Sequence, residues 1–289
     1  MRRVDSKTKY IGLLGYPLGH SISPIMQNAA FENKNMNNLY IPIEVRKEDL
    51  GQVVRAMPKM NFRGFNVTIP HKIEVMSYLD EIDDLAKSIG AVNTVLIKDG
   101  RLKGYNTDGI GFLRSLGYEL KLSVDGKNIF ILGSGGAARA ISMTLAMNMA
   151  NRLYICNRTY EKAESLVKDI NSKYGNVAVA IPLVEEKMEE AIKDAEILIN
   201  TTSVGTYPDV DDIPINKALL HSKLAVCDVV YNPRKTKLLQ EAEKLGCKTM
   251  SGLGMLIYQG EEAFEIWTGV KAPVETMFEA AEAFFNHSA

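Results

Sequence analysis

Cysteine is scarce in this 289-residue chain. Cys156, Cys227 and Cys247 lie far apart, with no CxxC pair and no histidine at ligand spacing. That pattern argues against a disulfide framework and against a zinc site, so no metal is expected and a reducing compartment is. A surplus of charge of either sign is also missing: 34 basic and 35 acidic residues give a formal net charge of −1. Binding to a phosphate backbone ordinarily shows as a basic excess or stripe, so no nucleic-acid partner is expected. Long apolar runs are absent too, none approaching the roughly 18 residues that mark a membrane span. The opening MRRVDSKTKY has two arginines and no apolar segment behind them, which argues against a signal peptide. What these absences leave is a cytoplasmic globular protein without a membrane partner. Its 46% hydrophobic and 24% charged residues suit that class.

The length exceeds a typical single core and favours two domains. Apolar strand-like runs alternate with helical patterns, the sign of an α/β protein with parallel sheets. Strands are expected at Tyr10–Gly15, at Leu39–Val45, where Pro42 signals an edge or a bulge, and over FRGFNVTIP. A helix is expected from Pro24 with Ser23 as its N-cap, and another over Glu48–Met57. NTVLIKDGRLKGYNTD reads as a hairpin turning at Asp99-Gly100. After a helix over Gly109–Leu116 the pattern starts afresh at Lys127 with KNIFILGSGGAARA. Two amphipathic helices, Met255–Trp267 and Pro273–Phe285, close the chain. There is no internal repeat and no low-complexity linker.

FILGSGGAARA follows a strand and opens a helix. Gly133, Gly135 and Ala138 fit G-x-G-x-x-G/A: a tight turn, a close backbone approach to pyrophosphate, and a small residue where helix meets strand. The helix N-terminus supplies N–H groups to the anion. The alternative is a tight structural turn. The next strand, RLYIC, ends in Asn157-Arg158-Thr159 with Lys162 a turn later. An Asp or Glu at such a strand end suits the ribose of NAD, whereas a guanidinium, a hydroxyl and an ammonium suit a 2′-phosphate and therefore NADP. Glu161, in the same turn, keeps NAD as the alternative. A solvated helix start is the reading without a ligand.

FNVTIPHK poses a question, because a buried strand runs straight into a histidine and a lysine. Lys72 is either the first solvated residue of the next helix or a cation held at a fixed point. Other polar residues gather near strand ends: HSISP, VTIPHK, GAVNT and GYNTDG. Ligands of open α/β sheets bind outside the carboxyl ends of the strands. Ser21, Ser23, Thr68, Asn93 and Gln259 exchange hydrogen bonds, while Lys72 and Asp108 can move protons. The set suits a small polyhydroxylated acid. Each residue also has a plainer reading: Ser21 and Ser23 as helix caps, Asn93 as a hairpin start, Tyr231 as a packing aromatic, His71 as a helix-start neighbour.

Taken together, GHSISP, NVTIPHK, GAVNT, GYNTDG, GSGGAARA, NRT, DVVYNP and GLGMLIYQG resemble the shikimate dehydrogenase family, including its quinate/shikimate branch. The motifs run in order over nearly the whole chain. Ser251 departs from the pattern, standing where an acidic or amide residue often precedes GLGM. The resemblance implies reversible NADP- or NAD-linked oxidation of shikimate to 3-dehydroshikimate, a step of aromatic amino-acid biosynthesis. It implies an N-terminal open α/β substrate domain (1–110), a Rossmann-like doubly wound domain (111–252) and C-terminal helices (253–289) returning to the first domain. Ser21 and Ser23 would bind the substrate carboxylate with Tyr231. Thr68, Asn93, Asp108 and Gln259 would meet ring hydroxyls, and Lys72 and Asp108 would form the catalytic pair. Gly133, Ser134, Gly135, Gly136, Ala137, Asn157, Arg158, Thr159, Lys162, Val229 and Gly252 would line the cofactor. Asp84 matches a position also assigned to it. A homodimer is compatible with the resemblance.

Three readings follow: an NADP-linked shikimate dehydrogenase, a quinate/shikimate enzyme preferring NAD, and a non-catalytic dinucleotide sensor. Proton-transfer groups at Lys72 and Asp108 speak against the sensor, which has no need of them.

Overall fold

The computed structural model describes residues 4–19 and 21–287. His20 of the GHSISP motif lies outside them. The chain forms two compact units, one of residues 1–107 and 257–289, the other of residues 108–256.

The first unit opens with β1 (Lys9–Gly15), α1 (Ser23–Asn33), β2 (Asn38–Glu44), α2 (Leu50–Ala56), β3 (Phe62–Val67), β4 (Glu81–Ile82), α3 (Asp84–Ile89), β5 (Thr94–Lys98) and β6 (Arg101–Tyr105). The sheet order is β2-β1-β3-β5-β6-β4. Pro42 sits on β2, an edge strand, where a missing N–H costs no ladder bond. Strand β5 alone runs against its neighbours. Asp99 and Gly100 make its two-residue return to β6 with φ of 51° and 77°, the left-handed pair that a tight hairpin needs. Leu14, Phe65, Val67, Val95, Leu50 and Val54 build the core between this sheet and α2.

The second unit runs α4 (Asp108–Ser115), β7 (Asn128–Leu132), α5 (Gly136–Met147), β8 (Arg152–Cys156), α6 (Tyr160–Tyr174), β9 (Ala178–Ile181), α7 (Glu185–Asp194), β10 (Ile197–Asn200), β11 (Ala225–Asp228), α8 (Lys237–Lys244) and β12 (Lys248–Met250). All its strand pairs are parallel, in the order β12-β11-β10-β7-β8-β9. Counted from β7, that is the doubly wound 3-2-1-4-5-6 arrangement, with its switch point between β7 and β10. Strands of apolar residues such as NIFIL and ILIN follow from burial on both faces.

The chain closes with α9 (Gly252–Thr268) and α10 (Val274–His287). From Ile257 onward these helices belong to the first unit. There Phe264 stacks near Phe31 with ring centroids 5.0 Å apart, and the Trp267 indole N–H donates to the Val95 carbonyl at 3.0 Å.

Candidate active site

In the first sheet, β1, β2, β3, β4 and β6 all point the same way, so their carboxyl ends share one edge. Antiparallel β5 begins at that edge. Ser21 follows β1, Thr68 and Lys72 follow β3, Asn93 precedes β5, and Thr107 follows β6. One strand reversal thus brings GAVNT to the same end as the other motifs.

The stretch after β3 is tied down residue by residue. Thr68 donates its backbone N–H to Leu14 (2.8 Å), and Tyr16 donates to the Ile69 carbonyl (3.1 Å). His71 is buried, and its Nε2 lies 2.7 Å from the Val45 carbonyl. A carbonyl only accepts, so Nε2 carries the proton and the ring fastens this turn to the end of β2. Lys72 is half-buried, and its carbonyl accepts from the Val92 N–H at 2.8 Å. The cation is therefore carried on a turn fixed at both flanks, ahead of a short 3₁₀ turn over Glu74–Tyr78.

Next to Val92, Asn93 is the centre of a buried network. Its Oδ1 accepts the Thr107 backbone N–H (2.9 Å), which sets the amide's orientation. Its Nδ2 then donates to Thr107 Oγ1 (3.0 Å) and reaches Gln259 Oε1 at 3.4 Å. Asn66 donates to the Asn93 carbonyl (3.0 Å) and to Thr94 Oγ1 (2.9 Å), and it accepts from the Tyr40 hydroxyl at 2.8 Å. Ser23 is not the N-cap expected of it: Ile22 takes the cap position with helical backbone, placing Ser23 at the first helical residue beside Pro24. Its N–H donates to Ser21 Oγ at 3.4 Å, so Ser21 is the serine that meets a helix-start donor. Asp84 opens α3 behind the capping Asp83; it is solvated and paired with Lys87 at 3.3 Å.

In the second unit, Asp108 is buried as the first residue of α4, directly after Thr107 in the chain. Between β7 and α5, Gly133 holds φ of +110°, and a Cβ there would come within 2.4 Å of Thr201 Oγ1. Gly135 is exposed and has open space where a Cβ would stand, whereas Ala138 is fully buried against the strand. Turn, open backbone and tight packing thus fall where the fingerprint needs them. At the end of β8, Arg158, Thr159 and Lys162 are all exposed, and the Asn157 amide holds their turn by donating to the Thr159 carbonyl at 2.8 Å. Thr159 is the N-cap of α6, yet its side chain makes no capping bond. Burial raises the Tyr231 phenol above its ordinary value, which keeps it a hydrogen-bond donor. The donor set suits NADP.

Three family models match the chain. The shikimate dehydrogenase substrate binding domain covers residues 13–95, the shikimate / quinate 5-dehydrogenase model residues 117–236, and the shikimate 5'-dehydrogenase C-terminal domain residues 252–282. A shikimate dehydrogenase (NADP(+)) of Methanocaldococcus jannaschii is 49% identical over 279 residues, spanning 95% of this chain and 96% of the relative. This chain belongs to the shikimate dehydrogenase family. Among solved structures, a shikimate dehydrogenase in complex with NADP+ is similar at a TM-score of 0.91 and 46% identity, covering 97% of each chain. The Listeria monocytogenes shikimate 5-dehydrogenase in complex with shikimate and NAD is similar at 0.92 and 39%, covering 97% of this chain and 99% of the other.

Within this member of the family, the network reaches residues to which the sequence reading gave no role: Tyr40, Asn66, Thr94 and Thr107. Asn66 carried a usable signal. An amide of low strand propensity between Phe65 and Val67, inside an apolar strand, must be satisfied by partners on other strands. Among the described residues no group of ligating side chains suits a metal ion, and no helix is long and apolar enough to cross a membrane.

Proposed function

We propose that this chain catalyses the reversible NADP-linked interconversion of shikimate and 3-dehydroshikimate, in the biosynthesis of aromatic amino acids. The observation that carries the reading is the seat of Lys72. It is pinned through Val92 next to an Asn93 amide whose hydrogens point at Thr107 and Gln259. Removing hydride from a carbinol carbon requires its hydroxyl proton to leave as well, and a lysine on a rigid turn can take that proton as the neutral amine, becoming the ammonium. NADP, when bound, supplies the hydride acceptor. In oxidation Lys72 Nζ takes the hydroxyl proton, and in reduction it returns one to the carbonyl oxygen. Asp108 is assigned to orienting the lysine and a neighbouring hydroxyl. Thr68, Asn93 and Gln259 are assigned to the ring hydroxyls, with Asn66 and Thr107 fixing the amide orientations. Ser21, Ser23 and Tyr231 are assigned to the carboxylate. Gly133 to Ala137, Val229 and Gly252 are assigned to the cofactor's pyrophosphate and nicotinamide, and Asn157, Arg158, Thr159 and Lys162 to its 2′-phosphate. Asp84 is the weakest of the cofactor assignments, since its carboxylate is engaged by Lys87.

A quinate/shikimate enzyme using NAD is the second reading. It is favoured by Glu161 beside Arg158, a carboxylate that a ribose could meet, and by the NAD in the Listeria structure. An assay of shikimate and quinate, each against NADP and NAD, separates the two at the nicotinamide absorbance. Arg158→Ala should weaken NADP by about 1.5–3 kcal/mol and spare NAD; equal losses for both cofactors would contradict the 2′-phosphate assignment. The proposal extends to a homodimer, which analytical ultracentrifugation tests. It extends also to the cytoplasm, whose reducing poise would keep the three buried free cysteines as thiols.

A further inference from the structure

Asp228, the last residue of β11, is buried, and no chemical role has been assigned to it above. Both of its oxygens are used. Oδ1 accepts from the Asn200 side-chain amide at 3.0 Å and from the Val230 backbone N–H at 3.0 Å. Oδ2 accepts from the Thr236 hydroxyl at 2.7 Å. Asn200 lies opposite Asp228 in the β10–β11 register. Its Oδ1 accepts from the Thr202 N–H (3.0 Å) and hydroxyl (2.7 Å), and its carbonyl accepts the Val229 N–H at 3.0 Å. The Val230 carbonyl in turn accepts the Gly252 N–H at 3.1 Å.

A single carboxylate therefore sets two loops, 201–204 and 229–236, at the carboxyl ends of β10 and β11. In a doubly wound sheet these ends flank the half of the crevice that takes the second mononucleotide, while the glycine loop after β7 takes the pyrophosphate. We propose that Asp228 is a positioning residue for the reaction: through Val230 N–H, Asn200 and Thr236 it holds Val229 and Tyr231 in the conformation that serves nicotinamide and substrate. The inference rests on the assignment of Val229 and Tyr231 given above. A buried carboxylate with three donors is costly to place in a core, and its burial raises its proton affinity. An apolar residue would fill the same volume, but the loop donors would then be left without an acceptor.

The test compares Asp228→Leu, Asp228→Asn and Tyr231→Phe in the full chain, reading turnover, the shikimate KM and the calorimetric Kd of NADP. Asp228→Leu should lower turnover by about tenfold to a hundredfold through misplacement of the loop. Its NADP Kd should stay within about threefold, since the glycine loop and Arg158 supply most of the charge-assisted contacts. Asp228→Asn keeps an oxygen for Asn200 and Val230 and offers an N–H that the Thr236 oxygen can accept. It should recover most of the turnover. A merely structural role would move stability and leave this split unmoved.

Turnover near wild type in Asp228→Leu with NADP still bound overturns the proposal, and so does an Asp228→Asn as impaired as Asp228→Leu. If Asp228→Leu fails to bind NADP, Thr236→Val decides, since it deletes one donor at constant shape. Reduced turnover at unchanged NADP affinity supports the proposal, and unchanged turnover overturns it. Tyr231→Phe separates the two levels: if it leaves the shikimate KM unmoved, the site assignment fails, whatever Asp228 does.

Discussion

At the scale of the residue, FNVTIPHK resolves into two side chains with different duties. His71 spends its N–H on the Val45 carbonyl and fastens the turn, while Lys72 is left on that turn's half-buried face. General acid–base groups contribute about 10²–10⁴-fold, so Lys72→Ala should lower turnover by that factor with far less change in KM. Lys72→Arg should not rescue it, because a guanidinium releases no proton near neutral pH. Asp108→Asn should also lower turnover, and the double variant should be little worse than the poorer single one, as for groups that act as a unit. Near-normal turnover in Lys72→Ala would make the lysine a structural residue only. Asp228 gives a second prediction at this scale, for stability. Burial pushes its carboxyl up from 3.8 to about 6. The native state therefore holds a proton that the unfolded chain has already lost, and stability contributed by the protonated acid is present below about pH 4 and lost as pH rises through about 6. Urea titrations of the wild type and Asp228→Asn should show their stability difference shifting in the variant's favour by about 2 kcal/mol between pH 4 and 7, then levelling off. A pH-independent difference would show that the carboxyl does not titrate in this window.

Among the elements, the strand–loop–helix unit β7–α5 separates what glycine does for the fold from what it does for a ligand. Gly133 combines a left-handed φ with a Cβ position 2.4 Å from Thr201 Oγ1, while Gly135 has an ordinary φ of −75° and empty space around it. Gly133→Ala should accordingly cost about 1 kcal/mol or more of stability. Gly135→Ala should melt like the wild type and still bind NADP at least about tenfold more weakly, because the methyl would stand in the approach assigned to the pyrophosphate. Equal melting losses in both variants would remove the distinction. This unit, the Asp99-Gly100 hairpin and the edge position of Pro42 were legible in the sequence because each depends on local chemistry: a φ sign, a period, a missing donor. The helix start at Ser23 was misplaced by one residue, since Ile22 adopts helical backbone without any capping side chain to announce it. The Asn66–Asn93–Thr107 network was legible only as motifs without roles. Its bonds join residues up to 166 positions apart, and nothing local in the sequence says which amide faces which hydroxyl. Asp228 was hidden for the same reason, as its partners sit on another strand and on the helix start beyond the loop.

For the molecule as a whole, the two units differ in how the chain encloses them. The second is continuous, residues 108–256, with its six strands and its core of Phe130, Leu198, Val226 and Ile192 drawn from that one segment. The first is split, and its sheet depends on residues 257–289. Phe264 packs on Phe31 and Trp267 bonds Val95, while Gln27 donates to the Gly260 carbonyl at 2.9 Å and Asn33 donates to Thr276 at 2.9 Å. Phe264 and Trp267 are both fully buried. At about 1.5–3 kcal/mol for each such side chain, the two alone supply about 3–6 kcal/mol, a large part of the roughly 5–15 kcal/mol by which a domain is stable. The first unit therefore cannot complete its core until the segment from Ile257 onward has been made. Residues 108–256 expressed alone should unfold cooperatively in urea and bind NADP in a calorimeter. Residues 1–107 alone should show no cooperative transition, and adding the 257–289 peptide in trans should restore one. A fragment 1–107 that unfolds cooperatively without the peptide would show that α9 and α10 cover a core already sufficient by itself. A fragment 108–256 that binds no NADP would place part of the cofactor's affinity in the segments that were removed.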